Sequence, residues 1–208
     1  MTSRTRIQTH VETRPLPPSA HTRQPWRIHE LAPDFRLEDV WALPTPGGPD
    51  DLSRLVELVQ SGDDRDFPVL YRLLFAIRWK LGGLLRLDRE ESGVGSRVAS
   101  LRDRLPADLR DLPRPPDHPD LPFRVVYLTD REFVAEIANS TVHGLMHLGW
   151  VEDGEGGYRG QMAVLNKPNG LLGQAYMAFI KPFRYLVIYP ALLRTLARGW
   201  ESQAGGAR

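Results

Sequence analysis

The spacing of apolar residues alternates between helical and extended periods along this chain. Asp39–Leu43 alternates weakly and runs into PTPGGPDD, which predicts a first strand and a turn. Asp50 or Asp51 then caps a short helix through about Val59, with Leu52, Leu55, Val56 and Val59 at helical spacing. Phe67, Leu70, Leu74, Ile77, Leu81 and Leu85 recur every three or four residues, so a longer helix with one buried stripe is predicted over 67–85. Gly82 and Gly83 weaken its end. A short polar helix is predicted over Val98–Arg104. The segment 106–122 carries prolines at 106, 113, 115, 116, 119 and 122, which speak against helix and central strand. It reads as an extended connector.

From Phe123 the period becomes two. Phe123–Thr129, Glu132–Ala138, Thr141–Val151, Tyr158–Leu165 and Leu171–Ile180 are five candidate strands in a row. The links Asp130–Arg131, Asn139–Ser140, EDGEGG and KPNG are short enough for antiparallel hairpins. Pro182–Trp200 returns to helical spacing. Leu186, Tyr189, Leu193, Leu196 and Trp200 fall on one face; Arg184, Arg194, Thr195 and Arg198 fall on the other. Pro190 is expected to kink this helix. The order predicts an α+β fold in which a curved antiparallel sheet grips a long C-terminal helix. A ligand fits the space such a fold encloses.

Composition narrows the function more than the fold. A chain of 208 residues suits one domain, expected over 25–201, between a disordered lead-in over 1–24 and a disordered tail over 202–208. The net charge of +1 gives no field to attract nucleic acid. There is no cysteine, which excludes disulfides, thiolate catalysis and Cys-ligated zinc. No apolar signal region and no run of eighteen apolar residues occurs, so no membrane span and a cytoplasmic location are expected.

The stretches LRDRLPADLR, TVHGLMHLGWV and GQMAVLNKPNGLLGQAYMAFIKPFRYLVIYPALLR resemble the bacterial domain-of-unknown-function family 2867. The more specific parts are Gly173–Tyr176 (GQAY) and Ile180–Arg184 (IKPFR). The resemblance spans roughly Trp26–Trp200. It implies a helix-grip, START-like fold of the polyketide-cyclase and lipid-transfer kind, but no reaction. Many members carry His where this chain has Arg184, so any chemistry of that His is absent here.

Two constellations carry candidate chemistry. If Asn139–Ser140 is a two-residue turn, Glu136 faces His143 and Glu132 faces His147 across a hairpin. A carboxylate orienting an imidazole suits a general base, which makes Glu136 and His143 the catalytic candidates of a cyclase or isomerase. The plainer reading puts this ladder on the solvent side, because Phe133, Ala135, Ile137, Val142, Met146 and Leu148 form the opposite, apolar face. The second constellation is Tyr176, Lys181 and Arg184 near the start of the last helix. With Met146 they are the candidate ligand-binding residues. His143 and His147 do not form a metal pair, since four residues along a strand span about 13 Å. No metal and no cofactor is expected. The expected partner is a small apolar or aromatic ligand, with a homodimer as a further possibility. The alternatives are the Glu–His enzyme and a non-catalytic interaction protein without a cavity.

Overall fold

A computed structural model describes residues 15–61, 94, 98–119, 121–138 and 142–206. The helix expected over 67–85 and the first fourteen residues of the expected lead-in lie outside them. Five strands form one antiparallel sheet: β1 Arg36–Ala42, β2 Arg124–Leu128, β3 Glu132–Ala138, β4 Val142–Glu152 and β5 Tyr158–Pro168. Their order is β1-β5-β4-β3-β2. The short helices are α1 Ser19–Thr22, α2 Ile28–Leu31, α3 Leu52–Ser61, a 3-10 turn Leu101–Arg104 and α4 Ala107–Arg110. The chain closes with α5 Gly170–Phe183, a π turn Arg184–Ile188 and α6 Tyr189–Gly206. The α+β reading holds: an antiparallel sheet grips a long C-terminal helix.

The expected fifth strand, Leu171–Ile180, is instead the helix α5. Its sequence is LLGQAYMAFI, rich in Leu, Gln, Ala and Met with one β-branched residue, so local preference favours helix. The empty place beside β5 is taken by β1, which comes from much earlier in the chain to pair with it.

The C-terminal helix departs from a single uninterrupted phase. Pro190 has no N–H to give the carbonyl four residues back, and the wide π turn just before it absorbs the fault. A π turn adds one residue to the helix, which rotates the residues before it by about 100° relative to those after it. The predicted stripe therefore holds after the turn and fails within it. Tyr189, Leu193, Leu196 and Trp200 are buried as expected, but Leu186 is 77% exposed. Arg184 and Thr195, expected in solvent, are buried, whereas Arg194 is exposed.

Three boundaries also shift. Residues 15–24 pack rather than hang free, because α1 carries a buried His21. The helix runs through Gly206 into the expected tail. One turn, α4, follows Pro106 inside the expected connector, where 107–112 is free of proline and Pro at a helix start costs nothing.

Both faces of the sheet are covered. On the inner face α6 and α3 pack Leu193, Leu196, Leu55 and Val56 against Trp41, Phe133, Leu148 and Trp150. Arg54 stacks over the Trp200 ring at 3.7 Å and donates to the Trp200 carbonyl at 2.6 Å. On the outer face Trp26, Ile28, Phe35, Leu101 and Leu105 pack against Val134, Leu145 and Ala163. The face expected to meet solvent is therefore a second core.

Leu193 is fully buried and Arg194 is exposed. Leu193→Ala is expected to cost about 2–5 kcal/mol, through lost transfer energy and the void left behind. Arg194→Ala is expected to cost less than about 0.5 kcal/mol. Equal costs in urea unfolding would contradict this packing.

Candidate functional site

An apolar cleft of about 240 Å³ lies between the inner sheet face and the C-terminal helix. Alternation fixes its floor: Gly144 and Met146 of β4 and Met162, Val164 and Asn166 of β5 point the same way. Its roof is Met177 and Ile180 of α5, Arg184 and Ile188 of the π turn, and Tyr189 and Leu192 of α6. The π turn is what brings Arg184 and Ile188 down onto the cleft.

One buried ion pair stands in this wall. Arg184 Nη2 donates to Asp39 Oδ2 at 2.6 Å, and Arg184 Nε donates to the Tyr189 hydroxyl oxygen at 3.0 Å. The Tyr189 hydroxyl donates in turn to the Asp39 carboxylate at 2.9 Å. Burial pushes the Asp39 carboxyl up from its ordinary range, against the pull of Arg184 and Tyr189. Burial also raises the Tyr189 phenol well above its ordinary value, so it stays protonated and keeps its donor. Trp41, whose ring centroid is 4.7 Å from that of Tyr189, backs the cluster.

The opposite face holds two carboxylate–imidazole pairs, both buried. His143 Nε2 donates to Glu136 Oε2 at 2.9 Å, and His147 Nε2 donates to Glu132 Oε2 at 3.0 Å. An ionised carboxylate only accepts, so each imidazole carries its proton on Nε2. Each carboxylate also takes a backbone N–H from the covering layer: Glu136 from Leu101 at 2.9 Å, Glu132 from Arg27 at 2.7 Å. Ser100 adds its hydroxyl to Glu136, and Tyr127 adds its own to Glu132 at 3.1 Å. Burial raises both carboxyls, but the histidines and these other donors outweigh it and hold them below their ordinary range. Phe35 covers the His143 ring, with ring centroids 4.9 Å apart. Above His147 the cover is Trp26, which fits because Gly149 has no side chain; a Cβ there would come within 2.6 Å of the indole.

The expected register is off by two. Ala138, not Glu136, pairs with His143, and Val134, not Glu132, pairs with His147. A shift of two residues keeps every side chain on its face, so each pair survives as a diagonal contact. The Glu136–His143 pair thus exists but points away from the cleft, with its members 0% and 2% exposed. It also does not face solvent, because the N-terminal segment and residues 101–109 lie over it.

Of the candidate ligand-binding residues, Met146 and Arg184 line the cleft. Lys181 is exposed, with its Nζ 5.8 Å from the centre of the Tyr185 ring. Tyr176 lies on α5, and its side chain is outside the described residues. Sequence reasoning missed Asp39 and Asn166. Both were within reach: Asp39 shares a strand face with Trp41 and Leu43, and Asn166 continues the alternation Met162–Val164. Among the described residues no group of three His, Asp or Glu side chains could hold a metal ion.

A family model described as protein of unknown function (DUF2867) matches residues 31–191. The chain belongs to this family. No curated protein and no solved structure matches it. In this DUF2867 chain the matched region takes in the five strands, the π turn and all the cleft residues named above except Leu192. Among the described residues no helix is long and apolar enough to cross a membrane.

The N-terminal segment adds a third histidine to the outer face. His21 Nε2 donates to His147 Nδ1 at 3.3 Å. Burial, then the nearby His147 and His29, hold the His21 imidazole down to about 3, against an ordinary value of 6.5. Between those values the unfolded chain binds more protons than the folded one, so stability falls as pH drops from about 6.5 toward about 3. Urea midpoints of the wild type are expected to fall more steeply over that range than those of His21→Gln. Parallel pH profiles would remove His21 as a cause.

Proposed function

We propose that this DUF2867 protein binds a small apolar or aromatic molecule between its sheet and its C-terminal helix. One observation carries the reading: the cleft of about 240 Å³, floored and roofed by Met, Ile, Val and Leu side chains. A buried apolar cavity of roughly 150 Å³ is enough for benzene, so this one suits a ring with a short chain. The polar groups in its wall are few, which is the composition of a small-molecule site. The START-like kinship implied by the family resemblance points the same way. The Glu–His enzyme is disfavoured, because Glu136 and His143 lie on the other side of the sheet, where Glu136 already accepts from His143, Ser100 and Leu101. Binding, rather than catalysis, is therefore the activity proposed.

Native mass spectrometry of the freshly purified protein tests this. A retained molecule of roughly ten to fifteen heavy atoms is expected, a size scaled from benzene in the smaller cavity. It should be lost from Met146→Trp, which places an indole in the cleft. Retention by that variant would place the molecule elsewhere. The same spectrum reports assembly. Phe179, Phe183, Leu186 and Val187 form an exposed apolar stripe on α5 and the π turn, which supports the homodimer reading.

A further inference from the structure

The ligand-binding reading leaves open what polar group the ligand carries, and Asn166 speaks to that. Asn166 sits on the cleft floor in line with Met162 and Val164, and it is 1% exposed. Neither its Oδ1 nor its Nδ2 has a hydrogen-bond partner among the described residues. Each buried polar atom left unpaired is costly, so a group that satisfies both gains more than one that satisfies either. Directly across the β4–β5 ladder stands Gly144, which also lines the cleft. A Cβ at Gly144 would meet Ile137 no closer than 3.5 Å, which is ordinary contact. Packing therefore does not demand glycine at this strand interior, where glycine weakens the strand and often marks a close approach by a ligand. The effect is a gap beside the Asn166 carboxamide.

Charge restricts the choice further. Among the described residues that line the cleft, Arg184 is the one cation, and it is already paired with Asp39. A carboxylate or an ammonium entering the cleft would be desolvated without a free counter-charge among those lining residues. A carboxamide presents one acceptor and two donors side by side. Its complement is a neutral group with C=O and N–H on one edge.

We propose that the cleft takes a mostly hydrocarbon ligand bearing one primary amide, lactam or imide, held by two hydrogen bonds to Asn166 in the gap opposite Gly144. This rests on the ligand-binding reading above. Three probes of similar shape separate the two claims: 4-phenylbutanamide, butylbenzene and 4-phenylbutanoate, each titrated at pH 7 and followed by backbone amide NMR shifts. The amide is expected to bind at least about tenfold tighter than either of the others, the difference one satisfied buried pair supplies. Asn166→Leu is expected to abolish the preference for the amide over the hydrocarbon. Equal binding of amide and hydrocarbon by the wild type, or tightest binding of the carboxylate, overturns the amide assignment and leaves the cleft reading standing. Binding of none of the three overturns the cleft reading itself. The wild-type ranking decides between these outcomes even if Asn166→Leu fails to fold.

Discussion

The Asp39–Arg184 ion pair ties the first strand to the C-terminal helices and fixes the roof of the cleft. Asp39 is on β1, at the edge of the sheet; Arg184 opens the π turn between α5 and α6. Burying both charges carries a large desolvation cost, repaid only by close geometry and further hydrogen bonds. Here the contact is 2.6 Å, and the Tyr189 hydroxyl bridges the two partners. Apolar packing of Leu193 and Trp200 holds α6 to the sheet, but packing alone tolerates sliding. The ion pair sets where along β1 the π turn must sit, and so sets the width of the space beneath it.

The two faces of the sheet solve the same problem differently. On the inner face a long helix covers mostly apolar side chains and leaves a cleft. On the outer face short segments from residues 15–35 and 98–110 do the covering. The buried carboxylates of Glu132 and Glu136 fasten these segments by accepting their backbone N–H groups. The histidines of β4 supply the remaining donors. Their arrangement resembles a catalytic dyad in sequence and acts as a clasp in space, since each carboxylate also accepts from the covering layer.

Much of this is legible in the sequence because period follows burial. The bounds of β3 are legible to the residue, and those of β4, α3 and the buried stripe of α6 nearly so. The illegible parts come from competition between signals. Leu171–Ile180 is apolar but for Gly173 and Gln174, and a nearly unbroken apolar run does not distinguish strand from helix by period. The phase of the helix is lost at the π turn, because a single inserted residue leaves no mark in sequence beyond the nearby Pro182 and Pro190. The Glu–His contacts emerge even from a wrong register, saved by the period-two symmetry of strands. Their burial does not, because Trp26, Ile28 and Phe35 lie far from them in sequence and nothing local announces that they fold over that face. The cleft's floor residue Asn166 falls just past the expected strand end at Leu165, because the run KPNG that follows it reads as a turn, whereas the strand extends through Pro168.

The most direct measurement is a double-mutant cycle on Asp39 and Arg184, read by urea unfolding. If the pair pins the helix, Asp39→Asn and Arg184→Met alone should each cost about 3–5 kcal/mol, because each leaves a buried charge without its partner. The double variant should cost less than the sum by about 2 kcal/mol or more. Additive costs, or single costs below about 1 kcal/mol, would contradict the pinning of the helix by this pair.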